Sequence, residues 1–76
     1  MTRPLHVIAS DIWYNWERPY FGAVPYLEAM GSLSSIEDNF YEDSAKSVVL
    51  YFLANANTWR GEAARRIKAE LKAMTK

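Results

Sequence analysis

The chain contains no cysteine, so disulfide bridges and thiolate metal sites are excluded. The lack of cysteine fits an intracellular protein, and we expect a cytoplasmic location. A domain of 76 residues without crosslinks buries only a modest fraction of its surface. Large apolar side chains, or a second subunit, must therefore supply the burial that stabilises it.

Long apolar segments and glycine-rich loops are also missing. No apolar run reaches the roughly 18 residues that cross a bilayer. The short patch 5–9, followed by Asp11, does not form a signal peptide. The three glycines, at positions 22, 31 and 61, are isolated, so no glycine-rich phosphate-binding loop is present. We expect neither a membrane segment nor a nucleotide site of that kind.

Side chains suited to catalysis or metal binding are not grouped along the sequence. His6 is the only histidine, and without a neighbouring acid or nucleophile its simpler interpretation is structural or exposed. The acidic segment 37–43 lacks the glycine and the alternating oxygen ligands of a calcium loop. It is most simply a solvated, helix-capping stretch, with recognition of a basic partner as the alternative. We predict no enzyme activity, no metal and no cofactor.

Aromatic side chains are the most concentrated feature of the sequence. Six of them lie between positions 13 and 26, namely Trp13, Tyr14, Trp16, Tyr20, Phe21 and Tyr26. A small core needs large rings, but Tyr and Trp are also enriched at protein interfaces, because part of the ring is apolar and part can form a hydrogen bond. This density indicates binding as well as packing.

Charge is unevenly distributed, although the net charge is zero. Residues 1–57 carry seven acidic and three basic residues, whereas residues 58–76 carry two acidic and six basic residues. The simpler interpretation is that the basic C-terminal helix lies near the acidic part of the chain, within residues 1–57, and the two attract each other. The alternative is that one charged pole faces a charged partner.

The spacing of apolar residues predicts two helices in the first half of the chain. The first begins after Thr2, an N-cap candidate, with Pro4 in its first turn. It ends near Arg18, since Pro19 disfavours a helical residue before it. Its predicted buried face comprises Leu5, Ile8, Ala9, Ile12 and Trp16. The second covers about 20–30; it is regular from near Ala23, because Pro25 is tolerated only in a first turn, and stops at Gly31.

Residues 32–43 are predicted to be a connector that packs against the core through apolar residues spaced three and four apart. These residues are Leu33, Ile36, Phe40 and Tyr41. A third helix is predicted from Ser44 to Asn55, with Asp43 as its N-cap. Its segment 48–53 is apolar nearly all round, which is typical of a central helix contacted on several sides. A buried strand is the alternative, which the cap and the alanines disfavour.

A fourth helix is predicted from Thr58 to Met74, with Trp59, Ala63, Ile67, Leu71 and Met74 facing the core. Gly61 would lie in its first turn, where glycine costs about 1 kcal/mol relative to alanine, so we expect close packing there, either within the chain or against a partner. Arg60 would lie near the positive helix end and need a carboxylate or an aromatic ring. The predicted fold is all-α, a compact single domain (1–76) of about four helices bundled around the third.

Two sets of residues are candidates for binding a partner. The first, Val7, Tyr14 and Tyr20, includes side chains opposite the buried face of the first helix, where they are either covered by a later segment or exposed as an interface. The second is the basic set Arg60, Arg65, Lys68 and Lys72. A solvated helix face is its simpler interpretation, and nucleic-acid binding is the alternative.

The chain resembles small accessory proteins encoded by bacteriophages and prophages, to which no activity is attached. The resemblance is carried by Tyr20–Met30 (YFGAVPYLEAM), Tyr51–Asn55 (YFLAN) and Trp59–Glu62 (WRGE) with the basic helix after it. It implies an accessory protein in a bacterial host cytoplasm and no catalytic residues.

Our first hypothesis for the function is a protein–protein interaction module, for example one that inhibits a host enzyme or a host defence system by covering its surface. A regulatory protein that binds nucleic acid through the basic C-terminal helix and a structural homodimer are the alternatives.

Overall fold

Residues 3–76, which the computed structural model describes, form four helices and one β-hairpin. The helices are α1 (Leu5–Asn15), α2 (Val24–Met30), α3 (Ala45–Ala54) and α4 (Glu62–Met74), and the hairpin pairs β1 (Asn39–Phe40) with β2 (Asp43–Ser44). The four predicted helices are confirmed, but the hairpin means that the fold is not purely all-α. The predicted cap Thr2 lies outside the described residues.

A single apolar core lies between the helices, and within residues 3–76 it contains no buried polar or charged side chain. The face predicted for α1 is fully buried. From α4 the buried residues are Ala64, Ile67 and Leu71, whereas Ala63 and Met74 are only partly buried. The spacing of these residues at three and four positions turns one side of each helix inward.

The connector between α2 and α3 is fixed at the start of α1 by backbone hydrogen bonds. Pro4, the residue before α1, offers no side-chain cap. Instead the N–H of Leu5 donates to the carbonyl of Ser34 at 3.0 Å, and the N–H of His6 donates to the carbonyl of Leu33 at 2.9 Å. Two N–H groups that a helix start leaves unpaired are thereby satisfied.

Asp38 organises the same connector from its other end. Its carboxylate accepts hydrogen bonds from the N–H groups of Ser35 and Ser34, each at 2.9 Å. These bonds to the charged form hold the pKa of the Asp38 carboxyl below its usual value. Its carbonyl accepts from the N–H of Ala45 at 2.8 Å, at the start of α3.

The hairpin overturns two predictions for the connector. Tyr41 stands at its two-residue turn with φ of 57° and is 89% exposed, so it does not pack against the core as expected. Asp43 belongs to β2 and is not the cap of α3. The cap is Ser44, whose hydroxyl accepts from the N–H of Ser47 at 3.1 Å. Strands of two residues are too short to leave an alternating pattern in the sequence.

α3 contacts α2, α4 and both strands, yet one side of it is uncovered. Val48, Val49 and Phe52 are buried, whereas Leu50 and Tyr51 are exposed. The nearly continuous apolarity of this helix therefore does not mean that it is enclosed all round.

Three aromatic rings join the ends of α1 and α3 to the chain before α4. The rings of Trp16 and Trp59 stack with centroids 5.4 Å apart, and Phe52 meets each edge-on at 6.2 and 6.5 Å. All three side chains are buried. We call Trp16, Phe52 and Trp59 the aromatic triad.

Gly61 has a role different from the predicted one. α4 begins at Glu62, and Gly61 precedes it with φ of 111° and ψ of −179°. A Cβ atom added there would meet no atom within 4 Å. Close packing within the chain is therefore absent at this position, and glycine is needed because the backbone conformation is one that side-chain-bearing residues rarely adopt.

Candidate interaction surface

Most of the aromatic residues between positions 13 and 26 are on the surface. Only Trp16 is buried, and Tyr26 is partly buried. The other four are exposed: Trp13 by 43%, Tyr14 by 88%, Tyr20 by 43% and Phe21 by 79%. The core is therefore built largely without them, and packing alone does not explain why this segment is so rich in rings.

Exposed and half-buried rings of α2, α3 and the segment before α2 are arranged in contacting pairs. Tyr20 and Phe21 lie with centroids 4.8 Å apart, and Tyr26 and Tyr51 lie 5.5 Å apart. Leu50, beside Tyr51, adds an exposed aliphatic side chain. We call these five residues the aromatic surface.

A cavity of about 280 Å³ adjoins this surface at the C-terminal end of α3. Its lining combines one ring with amide and hydroxyl groups and contains no charged side chain, and is formed by Tyr20, Ala54, Asn55, Asn57 and Thr58. The side-chain N–H₂ groups of Asn55 and Asn57 donate to the carbonyls of Tyr51 and Ala54, at 2.9 and 3.3 Å. These bonds orient both carboxamides.

Gly22 allows the Tyr20 ring to lie against the backbone. A Cβ atom at position 22 would stand 2.6 Å from Cε2 of Tyr20 and 2.9 Å from Oδ1 of Asn55. These distances are shorter than van der Waals contact, so a side chain at position 22 would displace the ring.

Pro25 lies in the first turn of α2, as expected.

The predicted residues Val7 and Tyr14 are exposed on the outward side of α1, with no later segment covering them. Tyr20 belongs to the aromatic surface instead. Phe21, Leu50 and Tyr51 were not among the residues predicted to bind a partner. The sequence did indicate that Leu50 and Tyr51 are exposed, because both fall outside the apolar stripe of α3.

The four predicted basic residues surround the start and the outer side of α4. Arg60, Arg65 and Lys72 are exposed, and Lys68 is partly buried. Nζ of Lys68 donates to the carbonyl of Trp59 at 2.7 Å and lies 6.0 Å from the centroid of its ring. Within residues 3–76, neither the carboxylate partner nor the ring contact expected for Arg60 is present.

The ion pairs of the described chain link Arg3, just before α1, with α1 and α4, and link α1 with α4, and do not involve the acidic segment 37–43. Arg3 holds Glu70 through two N–H groups at 2.7 and 2.9 Å and Asp11 through a third at 3.0 Å. Arg66 lies 3.6 Å from Asp11. The predicted attraction between the basic helix and the acidic part of the chain is therefore present between Arg66 and Asp11, but in the described chain no ion pair within 4.0 Å joins α4 to residues 37–43.

The bidentate contact between Arg3 and Glu70 perturbs both groups. The hydrogen bonds from Arg3 lower the pKa of the Glu70 carboxyl, and the same contact raises the pKa of Arg3. A carboxylate with a lowered pKa stabilises the fold above its unfolded pKa and loses that contribution as the pH falls through its folded pKa.

Glu70→Gln is accordingly expected to lower the free energy of unfolding by about 1 kcal/mol at neutral pH, since the pair is only partly buried. The difference from the wild type should vanish well below the ordinary glutamate pKa of 4.5. Urea unfolding at both pH values measures it, with the exposed Glu28→Gln as the control. A deficit that persisted in acid would contradict an ionic origin.

Within the part of the chain that the structure describes, no cluster of three or more His, Cys, Asp or Glu side chains could hold a metal ion. His6 is exposed. In the same residues, no helix is both long and apolar enough to span a membrane. Neither a protein-family model, nor a curated protein, nor a solved structure matches this chain.

Proposed function

We propose that this protein is an interaction module that binds another protein through its aromatic surface. The observation that carries the proposal is the exposure of Phe21, which precedes α2, and of Tyr51 on α3, neither of which belongs to the apolar core. Because both side chains are more than half exposed, they contribute less to folding than buried rings do, whereas burying them against a partner removes further apolar area from water.

The composition of the surface supports a protein as the partner. Tyrosine and phenylalanine are enriched at the centres of protein interfaces, where a few large side chains supply most of the binding energy. The neighbouring cavity adds oriented amide groups and the Thr58 hydroxyl, which can form the polar rim of such an interface. The surface thus combines apolar anchors with hydrogen-bonding groups of fixed geometry.

The mechanism is occlusion: the module covers a functional surface of its target and performs no chemistry itself. In the phage context implied by the sequence resemblance, the target is a host enzyme or a host defence protein. A protein encoded by the phage is the alternative partner for the same surface.

Capture from bacterial lysate, with quantitative mass spectrometry as the readout, tests this function. The tagged wild type, Phe21→Ser/Tyr51→Ser and the matched control Val7→Ser/Tyr14→Ser are compared after nuclease treatment. The control removes a similar amount of exposed apolar surface from α1. The expected result is one stoichiometric protein that the wild type and the control retain and the first variant loses.

Two results would contradict the proposal. Loss of the captured protein only with Val7→Ser/Tyr14→Ser would move the interface to α1. Equal capture by all three proteins would mean that the aromatic surface does not bind the captured protein.

A further inference from the structure

The basic side of α4 is distinct from the aromatic surface. Arg65, Lys68 and Lys72 are spaced at three and four residues and therefore lie along one side of the helix. Arg60 precedes the helix, close enough for its charge to act on Lys68. We call these four residues the basic face.

The cationic side chains differ in whether a carboxylate lies close enough to form an ion pair. Arg3 and Arg66 both contact carboxylates of α1 or α4. Among residues 3–76, no carboxylate lies within 4.0 Å of any cation of the basic face. Arg18, Lys46 and Lys76 likewise have no carboxylate within 4.0 Å among these residues. The basic face differs from them because its four unpaired cations lie close together on one side of α4.

Lys68 holds the centre of this face in place. Its bond to the Trp59 carbonyl and its position over the Trp59 ring fix the ammonium group beside the buried triad. Desolvation, and then the positive charges of Lys72 and Arg60, lower the pKa of Lys68. Like charges thus lie close together, an arrangement that an anionic ligand would relieve.

The surroundings of the basic face discriminate between kinds of anion. α4 has no exposed large apolar side chain, whereas protein interfaces depend on such anchors. Contacts to phosphate need only cations and N–H donors. Trp59 is buried, so no ring of the basic face can stack on an unpaired base, which disfavours single strands.

The narrow outer side of α4 fits the major groove of duplex DNA better than that of duplex RNA. Ala69, between the cations of α4, is exposed and small, so the helix can approach a groove closely. The major groove of B-form DNA admits an α-helix, whereas that of A-form RNA is too narrow. We propose that the basic face binds the phosphate backbone of double-stranded DNA without reading its sequence.

Binding of this kind has a measurable signature. Non-specific complexes have dissociation constants of about 10⁻⁴ to 10⁻⁶ M at physiological salt, and each phosphate contact contributes about −0.9 to the slope of log K against log salt. Four cations predict a slope of about −3 to −4. Removal of one cation of the basic face should reduce the magnitude of the slope by about one.

Fluorescence anisotropy with a short labelled DNA duplex, measured from low to physiological salt, tests the proposal. Lys72→Gln is compared with Lys46→Gln, which removes another exposed lysine, on α3. Circular dichroism verifies that both variants are folded. Lys72→Gln should weaken binding and flatten the salt slope, and Lys46→Gln should leave the slope at its wild-type value.

The proposal is overturned if the wild type fails to bind the duplex at low salt, or if the two lysine variants weaken binding equally. It is also overturned if single-stranded DNA, duplex RNA or a polyglutamate peptide binds as tightly as the DNA duplex. Phe21→Ser/Tyr51→Ser should bind DNA like the wild type, so failure of the aromatic surface and failure of the basic face are separate results.

Discussion

Trp59→Ala is expected to remove a large part of the protein's free energy of unfolding. The side chain is buried and touches both other rings of the aromatic triad. Removing a buried tryptophan costs about 3 to 5 kcal/mol, from lost burial and from the cavity left behind. A domain of this size has a total stability of about 4 to 11 kcal/mol, so this single change removes a large part of it.

Urea unfolding followed by circular dichroism measures the effect. Trp13→Ala is the matched control, because it deletes the same side chain from a half-exposed position on α1 and is expected to cost about 1 kcal/mol or less. Similar losses for the two variants would contradict the central place of the triad.

Gly61→Ala has the second largest expected effect on stability, about 1 to 3 kcal/mol. Space does not limit this position, since an added Cβ would meet no atom within 4 Å. The cost comes from the backbone conformation alone, which an L-residue with a side chain rarely adopts. Gly61 lies between Trp59 and the first residue of α4. A change of its backbone that relieved the strain would therefore shift Trp59 relative to α4 and disturb the aromatic triad.

Gly31→Ala provides the comparison for this effect. Gly31 has φ of −62° and ψ of −17° at the end of α2, so alanine keeps the backbone conformation and also lowers the entropy of the unfolded chain. We expect its free energy of unfolding to stay within about 0.5 kcal/mol of the wild type. If both alanine variants unfold at the same urea concentration, the backbone argument fails.

The helices could be predicted from the sequence because their apolar residues repeat with the helical period. The face of α1 from Leu5 to Trp16 is the clearest example. The start of α4 was predicted four residues early, at Thr58, where Asn57 and Thr58 resemble caps. Trp59 instead packs on Trp16, more than forty positions earlier, a contact that no local pattern reports.

The division of the aromatic residues between core and surface could be predicted only where helical spacing orders them, as for Trp16 on the buried face of the first helix. Trp13 and Trp16 are the same residue type three positions apart, yet only Trp16 meets the triad and is buried. Similarly, Phe52 is enclosed and Tyr51 is not, because the other elements cover only part of α3. Tyr20 and Phe21 precede α2 and belong to no helical pattern, so their exposure could not be predicted from the sequence.

The affinity of the captured partner for the purified module, measured by isothermal titration, tests the role of the aromatic surface most directly. We predict that Phe21→Ser/Tyr51→Ser weakens binding by about 100-fold or more, while its free energy of unfolding changes by about 1 kcal/mol or less. Unchanged affinity, or a loss of affinity accompanied by equal loss of folded protein, would contradict the claim that these rings serve a partner and not the fold.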